Sequence, residues 1–160
     1  MIRIRPGQIQ DVSFLEQMLF EAFFWNPQQT RPEFELFWVE PEFKKLLANW
    51  GKPGDRSLIA EKDHLPVGAA WYRFWTEENH SYGFISDRIP ELGIAVDKAF
   101  RSQGIGRVLL RELIKLAKNE ELEAVSLSVD PNNYALILYK SEGFEKFGES
   151  GTSWTLICYL

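Results

Sequence analysis

Phe100-Arg-Ser-Gln-Gly-Ile-Gly-Arg-Val-Leu-Leu110 sets two glycines one residue apart, between Arg101 and Arg107 and at the head of a run of helix formers. Ile105, Leu109, Leu113 and Leu116 recur at helical spacing beside Val108, Leu110 and Ile114, which predicts a helix over about 105–118. Glycine in a helix costs about 1 kcal/mol relative to alanine, so a pair of them at the start needs a reason. The first N–H groups of a helix have no internal partner and carry the positive end of its dipole. With no Cβ atoms at Gly104 and Gly106, an anion can reach those donors, and Arg101 and Arg107 add charge-assisted ones. A plain tight turn is the other reading of the glycine pair. Nucleotide fingerprints fit worse, because G-x-x-x-x-G-K-[ST] is missing and Leu109 stands where G-x-G-x-x-G needs its third glycine.

Strands flank this helix. Residues 91–96 read as one, and 124–129 alternate Val125, Leu127 and Val129 against Ala124, Ser126 and Ser128. A strand, helix, strand crossover of this kind is right-handed and makes its two strands parallel. Upstream, residues 2–5 predict a short strand ended by Pro6. Asp11 then serves as the expected N-cap of a helix carrying Phe14, Leu15, Met18, Leu19 and Ala22, which stops near Asn26-Pro27. A second helical zone over about 32–50 is broken by Pro41, Lys52-Pro-Gly-Asp55 marks a turn, and strands follow at about 57–61 and 67–75. Downstream come a short helix over about 133–141 and two strands, around 144–147 and 153–159. The expected class is therefore α+β, with α and β mixed along a single domain spanning 1–160.

Composition bounds the function. At 45% apolar and 26% charged residues in 160, the chain is ordinary globular protein rather than disordered or fibrous. Its formal net charge of −5 argues against nucleic acid as a partner. Between Asp97 and Lys118, however, six bases face two acids, a local inversion that fits a site for a small polyanion or a solvated helix face. Met1-Ile-Arg-Ile-Arg-Pro6 carries charges at alternate positions and no long apolar run, so neither a signal peptide nor a membrane span is expected, and the cytoplasm is the expected location. Cys158, the sole cysteine, lies in an apolar run and reads as a buried strand residue rather than a nucleophile. His64 and His80 lie far apart, and no metal is expected.

The turn also keeps informative company. Arg101-Ser-Gln-Gly-Ile-Gly106 resembles the [Q/R]-x-x-G-x-[G/A] acyl-CoA pyrophosphate loop of the GNAT-type N-acetyltransferases. Asn132-Asn-Tyr-Ala-Leu-Ile-Leu-Tyr-Lys-Ser-Glu-Gly-Phe144 is similar to that family's N-x-x-A-x-x-L-Y-x-x-x-G-F segment, and Glu91-Leu-Gly-Ile-Ala-Val96 looks like its fourth strand. The resemblance spans 91–144 in the family's order and is loose over the first 50 residues. It implies the GNAT acyl-CoA N-acyltransferase fold: a central, mostly antiparallel sheet of about six or seven strands with a parallel, splayed fourth and fifth pair, flanked by about four helices. Acetyl-CoA, as co-substrate, is then expected in the wedge between those two strands. Its pyrophosphate would lie on Gln103, Gly104, Ile105, Gly106 and Arg107, beside Arg101 and Ser102. Its pantetheine would pair with backbone groups of Ile94, Ala95 and Val96, one of them serving as an oxyanion donor. Asn132 would cap its helix or bond the pantetheine arm.

Transfer of an acetyl group needs a neutral amine and a proton for the departing thiolate. By family position the resemblance assigns the first task to Glu91 and the second to Tyr139. Taken alone, Glu91 reads equally as an exposed strand-end carboxylate and Tyr139 as a core residue. The implied reaction is direct transfer to a primary amine in a ternary complex; a non-catalytic acyl-CoA-binding or regulatory module, or an acidic interaction domain, is the alternative. Trp25 and Tyr72 are candidate walls of the acceptor pocket. Glu77, Glu78, Asp87 and Glu91 form an acidic zone that suits a cationic small-molecule or peptide amine. The family's last strands often mediate dimers, which leaves oligomeric state open between monomer and homodimer; neither nucleic acid nor membrane is an expected partner.

Overall fold

The computed structural model describes residues 1–160. In chain order the elements are β1 (Ile2–Pro6), α1 (Val12–Phe23), α2 (Phe34–Trp38), α3 (Pro41–Lys44), β2 (Arg56–Lys62), β3 (Leu65–Arg73), β4 (Glu91–Val96), α4 (Ile105–Asn119), β5 (Ala124–Val129), α5 (Ala135–Ser141), β6 (Glu145–Ser150) and β7 (Ser153–Tyr159). All seven strands join one sheet in the order β1-β2-β3-β4-β5-β7-β6, antiparallel throughout except for β4 beside β5. The α+β class and the parallel pair are as the sequence predicts. No helix is long and apolar enough to cross a membrane.

Strand alternation divides the buried residues between two faces. Leu58, Ala60, Ala70, Tyr72 and Leu92 meet Ile105, Leu109 and Leu113 of α4 on one face. Ile59, Ala69 and Trp71 meet Leu15, Met18 and Leu19 of α1, with Phe37 and Leu47, on the other. Cys158 is 6% exposed within the α4 core, and burial pushes its thiol up, as its apolar run implies.

Two local expectations are corrected. Asp11 precedes α1 but makes no side-chain cap; Arg5 holds its carboxylate at 2.8 and 2.9 Å, and the Gln8 N–H donates to it at 2.7 Å. Helix α1 closes at Phe23, with the Phe24 N–H donating to the Phe20 carbonyl at 3.0 Å, before Asn26-Pro27 is reached. The zone over 32–50 is divided at Pro41 as expected, into the short α2 and α3, followed by a 3-10 turn, Lys45–Leu47. What fixes that zone is Arg73, 3% exposed at the end of β3. Its Nε and Nη2 donate to Asp55 at 3.1 and 2.8 Å, and its Nη1 donates to the Ala48 carbonyl at 2.8 Å.

Candidate active site

Strands β4 and β5 share a single registered pair, Glu91 with Ser126, where the Ser126 N–H donates to the Pro90 carbonyl at 3.0 Å. Beyond that vertex they part. The Asp97 N–H donates to the Val67 carbonyl at 2.8 Å, and in an antiparallel ladder hydrogen-bonded pairs alternate with free ones. Residues 91, 93, 95 and 97 therefore turn their backbone groups to β3, while Ile94 and Val96 point theirs into the gap. Ala95, expected to join them, is paired with Ala69 instead.

The gap is the spine of a cleft of about 1010 Å³. At one end stands the loop before α4. Ser102 at φ 64° and Gly104 at φ 83° both turn left-handed there, and no side chain caps the helix. The first helical bond runs from the Val108 N–H to the Gly104 carbonyl at 3.2 Å, which leaves the N–H groups of Ile105, Gly106 and Arg107 without helical partners. A Cβ on Gly104 would meet nothing within 4 Å, and one on Gly106 would lie 3.8 Å from Leu138 and Val96. The glycines thus keep a concave, donor-rich surface open.

Both arginines of this loop are already engaged. Arg101 donates from Nε to the Val96 carbonyl and from Nη2 to Glu21 Oε2, each at 3.1 Å. Glu21 is also held by Arg31 at 3.0 and 2.8 Å; burial alone would raise its carboxyl, but the two arginines keep it below the usual range. Arg107 donates to Ser141 Oγ at 3.1 Å and pairs with Glu142, whose carboxyl Arg111 and Arg107 hold low. Arg101 and Arg107 still line the cleft, with donors to spare.

At the vertex, Glu91 Oε2 accepts the Gly83 N–H at 3.1 Å, whereas Oε1 is buried without a partner. Burial pushes this carboxyl up to about 7, against smaller opposing effects of Gly83, Ser81, His80 and Lys45. Tyr139 lines the same cleft at 8% exposure, its ring 5.8 Å from that of Phe144, and burial raises its hydroxyl so that it stays protonated. A carboxyl poised near neutrality and a protonated phenol in one cleft are a base and an acid for proton transfer.

Of the residues singled out in the sequence, the cleft gathers Glu91, Ile94, Ala95, Val96, Arg101, Ser102, Gly104, Ile105, Gly106, Arg107, Tyr139 and Trp25. It does not gather three others. Gln103 is exposed outside it. Asn132 is exposed and caps nothing; Asn133 does, its Oδ1 accepting the Ala135 N–H at 2.9 Å while also lining the cleft. Tyr72 is a correction of side: fully buried on the α4 face, it donates its hydroxyl to Glu120 at 2.5 Å, because even-numbered β3 residues face α4. The acidic zone disperses too, with Glu77, Glu78 and Asp87 exposed and only Glu91 in the cleft. Reading β3 with the opposite phase would have found Trp71 and Arg73, which line the cleft in Tyr72's place.

Comparison with known proteins agrees with this geometry. A profile of the acetyltransferase (GNAT) family matches residues 16–144. The chain belongs to that family. Over 56 residues it is 46% identical to the N-alpha-acetyltransferase RimI of Mycobacterium tuberculosis, a match that spans 34% of this chain and 34% of that relative. It is 28% identical over 114 residues to YwnH of Bacillus subtilis, covering 69% of this chain and 68% of the other. The PaiA N-acetyltransferase of Thermoplasma acidophilum, solved with coenzyme A, superposes with a TM-score of 0.76 at 19% identity, covering 100% of this chain and 99% of that one.

Proposed function

We propose that the chain binds acetyl-CoA along the β4 edge and transfers its acetyl group directly to a primary amine in a ternary complex. The observation that carries this reading is the placement of one open strand edge between two chemistries. Unpartnered N–H groups behind Gly104 lie at one end, and the buried, unpartnered Glu91 Oε1 lies at the other. The former suits a pyrophosphate, with Arg101 and Arg107 lending charge. The Ile94 and Val96 amide groups, two residues apart, suit an extended pantetheine arm added as a strand. Acetyl-CoA supplies the activated acyl group, and coenzyme A bound to a fold relative supports the choice of ligand.

The residues of the chain then divide the proton work. An alkylammonium near pH 7 gives its proton to Glu91, directly or through water at Oε1, and becomes nucleophilic. As nitrogen bonds to the acetyl carbon and the carbon–sulfur bond breaks, Tyr139 donates its proton to the departing sulfur, and the proton that the nitrogen then sheds returns to the phenolate directly or through water. Cys158, buried and with its thiol raised, offers no acyl-enzyme route.

The test pairs thermal denaturation with coenzyme A and thiol release from acetyl-CoA, screened over polyamines, aminoglycosides, amino acids and peptide N-termini. Stabilisation by the coenzyme together with amine-dependent thiol release is the expected result. Stabilisation without release from any amine would leave a non-catalytic acyl-CoA-binding module, and no stabilisation would remove the ligand itself.

A further inference from the structure

The cleft has a second half, on the α1 face, where the odd residues of β3 and β4 point. Gly93 pairs with Trp71 there, and the Trp71 indole fills the place of the missing side chain: its Cζ2 and Cε2 lie 2.6 and 2.7 Å from where a Cβ would stand. The floor two residues from Glu91 is therefore an indole. Trp25, Trp75, Phe23 and Phe43 join Trp71 on the walls, the last two in edge contact at 4.7 Å.

Charge in this half is equally one-sided. The only cations lining the cleft are Arg73, Arg101 and Arg107. Arg73, 3% exposed, spends its donors on Asp55 and on backbone carbonyls. Arg101 and Arg107 belong to the loop before α4, where Glu21 and Glu142 hold them. No cation free of a carboxylate lines the cleft; Lys45, 5.9 Å over the Trp75 ring, donates to the His80 carbonyl at 2.7 Å and stands outside the lining, whereas an unpartnered carboxylate oxygen belongs to a residue of the lining.

We propose that the acceptor is a primary amine carried on an apolar, aromatic body, with no carboxylate beside the amine. This rests on the assignment of the cleft to acetyl transfer. The ammonium finds Glu91 among the aromatic rings of Trp25 and Trp71, surroundings favourable to cations. The body buries against Trp25, Trp71 and Phe43, where rings gain both area and edge contacts. A carboxylate on the carbon bearing the amine would find no free cation in the lining and would lie beside Glu91, at the cost of a desolvated charge next to a like one.

Phenethylamine, phenylalanine amide and phenylalanine share one body and differ in the charge beside the amine; putrescine has two amines and no ring. Acceptors are compared by kcat/KM for thiol release, and their binding by quenching of tryptophan fluorescence. Phenethylamine and the amide are expected to exceed phenylalanine and putrescine by about tenfold or more in both readouts. Trp25→Ala, at a half-buried position after α1, is expected to lower kcat/KM for phenethylamine by about tenfold and to leave stabilisation by coenzyme A unchanged. Equal or better use of phenylalanine or putrescine would overturn the proposal, as would silence from the whole panel while coenzyme A still stabilises the protein; in both cases the acetyl-CoA assignment stands. Absence of coenzyme stabilisation would remove that assignment, and this proposal with it.

Discussion

Glu91 and Ser126 face each other across the single pair that β4 and β5 share, and Gly83 stitches that vertex from above. The Ser126 hydroxyl donates to the Gly83 carbonyl at 2.8 Å, and the Gly83 N–H donates to Glu91 at 3.1 Å. A Cβ on Gly83 would fall 2.8 Å from the Leu127 carbonyl carbon and 2.9 Å from the Ser128 nitrogen, both of them backbone. The segment before β4 therefore lies on β5 only because residue 83 has no side chain. Burial at this vertex raises the Glu91 carboxyl, and the Gly83 N–H opposes that rise.

The pH dependence follows from that carboxyl. Glu91 acts as base only when ionised, so kcat/KM rises with pH through a midpoint of about 7, and Glu91→Gln flattens this limb and lowers the rate by about a hundredfold. Stability runs the opposite way. The folded value lies above the ordinary 4.5, so as pH rises from there the unfolded chain loses its proton first, and the fold loses stability until about 7. Denaturant titrations of both proteins at several pH values should show Glu91→Gln gaining on the wild type across that window.

Gly83→Ala tests the stitch. Forcing a methyl against the β5 backbone should cost about 1–3 kcal/mol of stability, read as a lower denaturation midpoint. It should also let water reach Glu91, moving the midpoint of the pH–rate limb below that of the wild type. A variant that is merely less stable, with its limb unmoved, would show that burial of Glu91 does not depend on this contact.

Tyr139→Phe keeps the ring against Phe144 and removes only the hydroxyl. Turnover should fall by about a hundredfold while the affinity for coenzyme A, measured calorimetrically, changes little. An unchanged kcat would take Tyr139 out of proton transfer and return it to the core.

The two loop glycines separate strain from occupancy. Gly104 sits at φ 83° with open space around its Cα, so Gly104→Ala should cost about 1 kcal/mol through backbone strain alone. Gly106 lies inside the helix, and a Cβ there makes ordinary contacts at 3.8 Å with Leu138 and Val96, so Gly106→Val should fold well yet block the donor surface. Coenzyme affinity should fall far more in Gly106→Val than the melting temperature does.

How much of this was legible in the sequence depended on the range of the interaction. Residues 91–96, 124–129 and 153–159 read as strands and form with those bounds, because each buries apolar side chains in the core shared with α4. The glycine pair marked the turn, because its constraint is local. Tyr72 was misplaced because alternation gives two faces without saying which one meets α4. Asn132 instead donates its N–H to Asp130 Oδ1 at 2.8 Å, and Asn133, next along the chain, accepts the Ala135 N–H. Asp11 does not cap α1 because Arg5, six residues earlier on β1, holds its carboxylate.

Arg73 and Asp55 were invisible for the same reason, and they carry the last prediction. Their side chains are 4% and 2% exposed, and the pair binds the segment from Lys45 to Asp55, with Trp50 stacked 5.1 Å from the guanidinium, to the end of β3. That segment holds Leu46 and Leu47, which back the aromatic wall of the cleft. Asp55→Ala leaves a buried guanidinium without its counter-charge and frees the Gly51 and Lys52 N–H groups that Asp55 also satisfies at 3.0 and 2.9 Å. Removing one partner of such a pair costs about 3–5 kcal/mol, a large share of a domain's total stability. Arg73→Met with Asp55→Leu should recover much of that loss, since neither then buries a charge. Because the paired arginine offers the cleft no free donor, the double variant, if folded, should keep its preference among amines; a changed preference would mean that Arg73 meets the acceptor after all.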